Sequence, residues 1–219
     1  MAIRTIEHDA SLDEIWNILV WEEARLTKDK NASDLAPEVA EHITRWKAVE
    51  NGQREAWRAE IIAQAAVSAG DDDLDDTTAA IDRSLLHVVG ERGAPRYVRY
   101  FKKTRSDITR LGLESQLGAV REWPASLKTE AEADLQALGA RLDANVADGD
   151  AAITSRRTSA AATADHRVRE IVRFIDDVNA ARRTRYGLLI QRGETLGLAK
   201  DWPNRFFKRG SSAPKAKSE

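Results

Sequence analysis

The sequence predicts an all-α protein, and three observations carry that prediction. Ala, Leu, Arg, Glu and Asp dominate the chain, while Gly and Pro number only 12 and 5. Apolar residues return at i, i+3, i+4 and i+7 over long stretches, and no stretch alternates polar with apolar residues as a half-buried strand does. An octapeptide, L-G-A-V-R-E-W-P at 117–124, recurs as L-G-L-A-K-D-W-P at 196–203, with its charge order kept. The implied architecture is an antiparallel helical bundle made from two tandem helical hairpins, four-helix-bundle-like, plus an N-terminal helix.

Each element has a local reason. Ser11 and Glu14 form an S-x-x-E capping box, so the first helix starts there and carries Leu12, Ile15, Trp16, Leu19 and Leu26. A polar stretch, 27–34, ends it. Pro37 suits the first turn of the next helix, which is expected to run to about Ser68 with Val39, Ile43, Trp46, Gln53, Trp57 and Ile61 on one face. Gly70 and the acidic run 71–76 read as a corner. Ile81, Leu85 and Val88 mark a third helix, which Gly93 ends and after which Pro95 begins a fourth segment. Beyond Pro124 a stripe from Leu127 to Ile153 predicts a long helix. The Ser/Thr/Ala-rich 154–164 reads as its turn, and Val168 to Leu189 as the return helix.

The hairpins give one helical domain over 1–207, with pseudo-repeats at about 37–124 and 125–203. In the repeated octapeptides, Gly118 and Gly197 are expected to end helices. Trp123 and Trp202 plug the bundle, Pro124 and Pro203 redirect the chain, and Leu117 and Leu196 complete the structural connector. Residues 208–219 carry no apolar side chain larger than Ala and are expected to form a flexible basic tail.

Composition bounds function. A net charge of −2 with 32% charged residues gives no global attraction to nucleic acid or an anionic membrane. The absence of cysteine excludes disulfides, thiolate metal sites and cysteine nucleophiles. The N-terminal residues lack the apolar core of a secretory signal, and no stretch approaches the ~18 apolar residues of a membrane span. A cytoplasmic location is the expectation.

Candidate chemistry is sparse. Carboxylate–histidine pairs at i,i+4 (Glu38/His42, His87/Glu91 and His166/Glu170) place two ligand types on one helical face, but surface pairing accounts for the same spacing. No Glu-x-x-His motif of a di-iron bundle is present, and no metal or other cofactor is expected. The run from Asp71 to Asp82 resembles a calcium loop in spacing but lacks the glycine that such a loop needs at its sixth position. Arg96, Arg99, Lys103 and Arg110 fall on one face of a helix whose other face is aromatic. That is a candidate strip for partner, anion or nucleic-acid phosphate. Arg182 and Arg185 crowd the last long helix. Burial there requires a carboxylate, for which Glu130 and Asp134 are the expected partners.

No Gly-rich phosphate loop, nucleophile elbow or catalytic triad ordering is visible. The expected function is a non-enzymatic helical-bundle scaffold or protein-interaction protein that self-associates. The alternatives are a metal- or small-ligand-binding bundle, and nucleic-acid binding through 96–110.

Overall fold

The computed structural model describes residues 5–208, and among them every regular element is helical. The expected tail lies, apart from Lys208, outside the described residues. The helices are α1 (Leu12–Lys28), α2 (Ala36–Val89), α3 (Pro95–Val98), α4 (Arg105–Thr109), α5 (Leu113–Val120), α6 (Trp123–Leu127), α7 (Ala133–His166) and α8 (Arg173–Thr195). A π-helical stretch, Arg167–Val172, joins α7 to α8, and short 3-10 turns lie at Ser33–Leu35 and Trp202–Arg205. No described helix is long and apolar enough to cross a membrane.

Two of the expected turns are helix. The acidic run 71–76 lies inside α2, because the apolar period continues through it: Leu74, Ile81 and Leu85 are fully buried. Gly70 makes no corner there; a β-carbon on it would lie 3.8 Å from the Cα of Gly149, so it allows two helix backbones to pass closely. The stretch 154–164 lies inside α7. The hydroxyls of Thr154, Thr158 and Thr163 donate back to the carbonyls of Asp150, Thr154 and Ser159, and alanine between them favours helix. The tandem hairpins drawn from those turns are therefore replaced by two long helical runs, 36–89 and 133–195. The calcium-like spacing from Asp71 to Asp82 is likewise helical, with no loop to wrap an ion.

The chain forms two compact units: Met1–Glu55 with Ala164–Glu219, and Ala56–Thr163. This division differs from the pseudo-repeats at 37–124 and 125–203, since each unit takes a part of both long helical runs. In the first unit, Val39, Ile43 and Trp46 of α2 bury against Ile171, Phe174, Ile175 and Val178, and α1 adds Ile15, Leu19 and Leu26. Ser11 caps α1 by accepting the Glu14 N–H at 3.1 Å. His166 lies over Gly52, where any β-carbon would come within 2.6 Å of its ring. In the second unit, Leu74, Ile81 and Leu85 bury against Leu135, Leu142 and Val146, with Leu117 and Trp123 closing the cluster.

Three corrections and one agreement concern local signals. Gly90, not Gly93, has the positive φ (81°) that ends α2. Gly118 stays inside α5 without a positive φ, because the chain turns after Val120 through Arg121 and Glu122 in helical conformation. Gly197 (φ 63°) does end a helix: Leu198 N–H donates to Gly193 O and Gly197 N–H to Glu194 O, the paired bonds of a Schellman end. Finally, the apolar face of α2 is not buried throughout. Trp46 is 0% exposed, but Trp57 is 43% and Ile61 69% exposed. Past Gln53 the packed face of α2 runs through Ala63, Val67 and Leu74, and Trp57 and Ile61 lie off it.

Candidate functional site

The i,i+4 pairs come apart on inspection. Glu38 gives its carboxylate to Arg185 (3.0 and 3.2 Å) rather than to His42. The His42 ring stands edge-on to Phe174 at 6.4 Å, and neither ring nitrogen has a hydrogen-bond partner. Burial, reinforced by the nearby Arg185 charge, holds the His42 pKa below the ordinary histidine value. His166 Nε2 lies 3.1 Å from the Val49 carbonyl, within hydrogen-bonding distance. His87, Glu91 and Glu170 are exposed. Among the described residues no three His, Asp or Glu side chains are grouped to hold a metal ion.

The arginines of α8 are committed to acids, though not the expected ones. Glu22 of α1, rather than Glu130 or Asp134, lies between Arg182 (2.5 Å) and Arg185 (3.1 Å). The three side chains are at most 3% exposed. Burial pushes the Glu22 pKa up against the pull of both guanidiniums. The Arg182 guanidinium also lies 5.5 Å from the Phe207 ring. An opening that Arg182 lines is about 20 Å³, room for a water but not for an anionic ligand.

The strip 96–110 is two short helices rather than one. Thr104 and Asp107 form a reciprocal capping box that starts α4 afresh, a T-x-x-D signal present in the sequence and missed in reading one continuous face. The four cations consequently part. Arg96 donates to Glu130 at 2.5 and 2.8 Å and also grips Glu132. Tyr100 donates its hydroxyl to the same Glu130 at 2.6 Å. Burial pushes the Glu130 carboxyl up, but the hydrogen bonds from Tyr100 and Arg96 outweigh it and leave the pKa below the ordinary value. Tyr100 is pushed up to about 12 by burial and by that carboxylate. Arg110 is exposed at the end of α4.

Arg99 and Lys103 line a common cavity of 330 Å³ with Tyr100, Lys102, Ile108, Ala119, Glu122, Trp123 and Ser126. Lys102 and Glu122 had not been singled out in the sequence; Lys102 adjoins Lys103 in the chain, and only the fold brings Glu122 to them.

The two connectors do different things. Trp123 meets Phe101 (4.9 Å) and Tyr100 (5.9 Å) in an aromatic cluster, while Leu117 presses on Gly149. Trp202 meets Phe206 (5.1 Å), covers Gly193 and donates its indole N–H to Asp29 at 3.0 Å. Pro124 and Pro203 both occupy the first turn of short helical segments, and Leu196 is half exposed as the cap of α8.

A second opening, a groove of 560 Å³, lies between α2 and α7 within Ala56–Thr163. It is lined by Trp57, Glu60, Ile61, Gln64, Arg156, Arg157 and Ala160. Its apolar side chains face solvent, and the neighbouring Ile62 of α2 is 58% exposed as well. Between residues 54 and 69 only Ala63 is fully buried.

No protein-family model matches the chain, and neither a curated protein nor a solved structure is matched by it. What the described residues define is an all-α fold with an apolar groove at Trp57 and a cationic-rimmed cavity at Trp123 among its openings.

Proposed function

We propose that the protein is a non-enzymatic helical scaffold of the cytoplasm that self-associates through the groove at Trp57 and Ile61. The observation that carries this reading is the exposure of those two large side chains on consecutive turns of α2, beside the alanine-rich part of α7. An exposed tryptophan costs hydration free energy that a monomer does not recover, and tryptophan is a frequent interface anchor. The occupant is a second copy of the chain. The groove offers an acid (Glu60) and two bases (Arg156, Arg157), so a twofold-related copy sets acid against base twice. Small exposed side chains at Ala59, Ala66, Ala160 and Ala161 allow helices to approach closely. A second pair of helices there completes four-helix packing about the exposed level.

The test is sedimentation equilibrium on the full chain, taken to concentrations that detect dissociation constants of about 1 mM. The wild type is expected to associate. Trp57→Glu with Ile61→Glu is expected to be monomeric with unchanged circular dichroism, because both side chains are already exposed. A wild type that stays monomeric throughout, or a double variant that associates equally well, overturns the proposal.

A further inference from the structure

The 330 Å³ cavity of Ala56–Thr163 has a composition that self-association does not use. Its wall is apolar and aromatic. Ile108 and Trp123 are 3% and 7% exposed, and the ring of Tyr100 adjoins them. The Tyr100 hydroxyl is already given to Glu130, so the ring is what Tyr100 has left to offer. The rim is cationic: Arg99, Lys102 and Lys103 stand against the one carboxylate of Glu122.

Arg99 is shared, lying 3.7 Å from Glu130. Lys102 and Lys103 make no ion pair within 4.0 Å among the described residues. Lys102 and Lys103 bring two positive charges to one opening, with Glu122 on the same rim and Asp107 close enough to interact with Lys103, and an added dianion is attracted to the remaining excess of positive charge. Lysine meets phosphate as a point charge, and a planar ring gains from contact with an aromatic wall. The volume suits a small molecule, since ligand pockets run from roughly 300 to 1,000 Å³.

We propose that this cavity binds a small aromatic phosphate, with the ring against Trp123 and Ile108 and the phosphate on Lys102 and Lys103. Neither half of such a ligand suffices alone. The wall gives no charge recognition and the rim gives no shape.

The test is calorimetric titration of the full chain with adenosine monophosphate and with phenyl phosphate. Adenosine and inorganic phosphate serve as the half-ligands, and a single-stranded oligonucleotide as the polymer. At least one ring phosphate is expected to bind about tenfold or more tightly than either half-ligand. Added salt is expected to weaken it. Lys102→Ala with Lys103→Ala should lose about tenfold in affinity. Ala119→Trp fills the cavity from an exposed position without altering charge, and should abolish binding while circular dichroism is unchanged. Absence of saturable binding by both ring phosphates, or binding that survives Ala119→Trp, overturns the proposal. So does an oligonucleotide bound more tightly per site than either ring phosphate. None of these outcomes depends on the Trp57 groove, so failure here and failure of self-association are separate results.

Discussion

Glu22 and Glu130 are both acids held between buried or half-buried basic side chains, one in each unit, and their surroundings push them in opposite directions. Among the described residues Glu22 accepts from two arginines, at a place where all three side chains are out of water. Desolvation wins and its pKa rises. Glu130 is 8% exposed and Arg96 29%, and Tyr100 adds a neutral hydrogen bond to the arginine's charge. Hydrogen bonding wins and its pKa falls. The contrast teaches that counting arginines around a carboxylate does not give the sign of its shift. The access of the whole cluster to water, and the number of donors aimed at the acid, decide it.

The largest expected effect breaks the Glu22 centre. Glu22→Ala removes the buried carboxylate that Arg182 and Arg185 share. Removing one partner of a buried ion pair costs about 3–5 kcal/mol. Urea denaturation should show that loss. Glu22→Gln, which keeps the shape and an acceptor oxygen, should cost less, because burial already opposes the charge. A glutamine variant as damaged as the alanine one contradicts this account.

Next is the closeness of packing in each unit. Gly139 sits under α6, where a β-carbon would lie 2.7 Å from Leu127 Cβ and 3.0 Å from the Lys128 backbone nitrogen. Those atoms cannot move without the helix, so Gly139→Ala should cost about 1–3 kcal/mol by overpacking. Gly52→Ala meets only the His166 ring, which can rotate away at the expense of its contact with Val49. It should cost less than Gly139→Ala in the same denaturation experiment; the reverse order would show that His166 is fixed in place.

Much of this was written in the sequence, and the gaps have physical causes. The helical class, the Ser11 cap, the Gly197 helix end and the need of Arg182 for a carboxylate were legible, because each depends on a few neighbouring residues. The partner of Arg182 was not legible: Glu22 lies 160 positions away, and only packing of α1 on α8 selects it. The two false turns have a different cause. Aspartates and small hydroxyl residues favour turns when they are alone, and here the apolar period of Leu74, Ile81 and Leu85, or back-bonded threonines among alanines, outweighed them. Of the candidate site, Arg99 and Lys103 were legible as exposed cations. The cavity was not, because its wall joins Tyr100, and Ile108 of α4, to Trp123 of α6, and its cationic rim comes from the chain between α3 and α4.

A smaller effect tests the second centre. Glu130→Gln leaves Arg96 partly exposed and still held by Glu132, so the loss should be about 1–2 kcal/mol, less than at Glu22. A cost equal to that of Glu22→Ala would mean that the solvent access of Arg96 does not soften the break.

The smallest effect is also the sharpest form of the comparison, because it concerns sign. Glu130 has a folded pKa below the ordinary 4.5, so its contribution is present above 4.5 and is lost as pH falls through the folded value. Glu22 has a folded pKa above 4.5, so the folded state holds a proton that the unfolded chain has released. Its contribution is fully present below 4.5 and is lost as pH rises through the folded value. Denaturation midpoints for wild type, Glu130→Gln and Glu22→Gln, measured from neutral pH downward, therefore separate the two. The advantage of wild type over Glu130→Gln should shrink with acid, while wild type should gain on Glu22→Gln. Carboxylates with lowered values away from both centres, such as Asp34 and Asp150, titrate in all three proteins and drop out of the differences. If both differences move in the same direction, the opposition between desolvation at Glu22 and hydrogen bonding at Glu130 is wrong. In that case the charge of the surrounding arginines alone governs both acids.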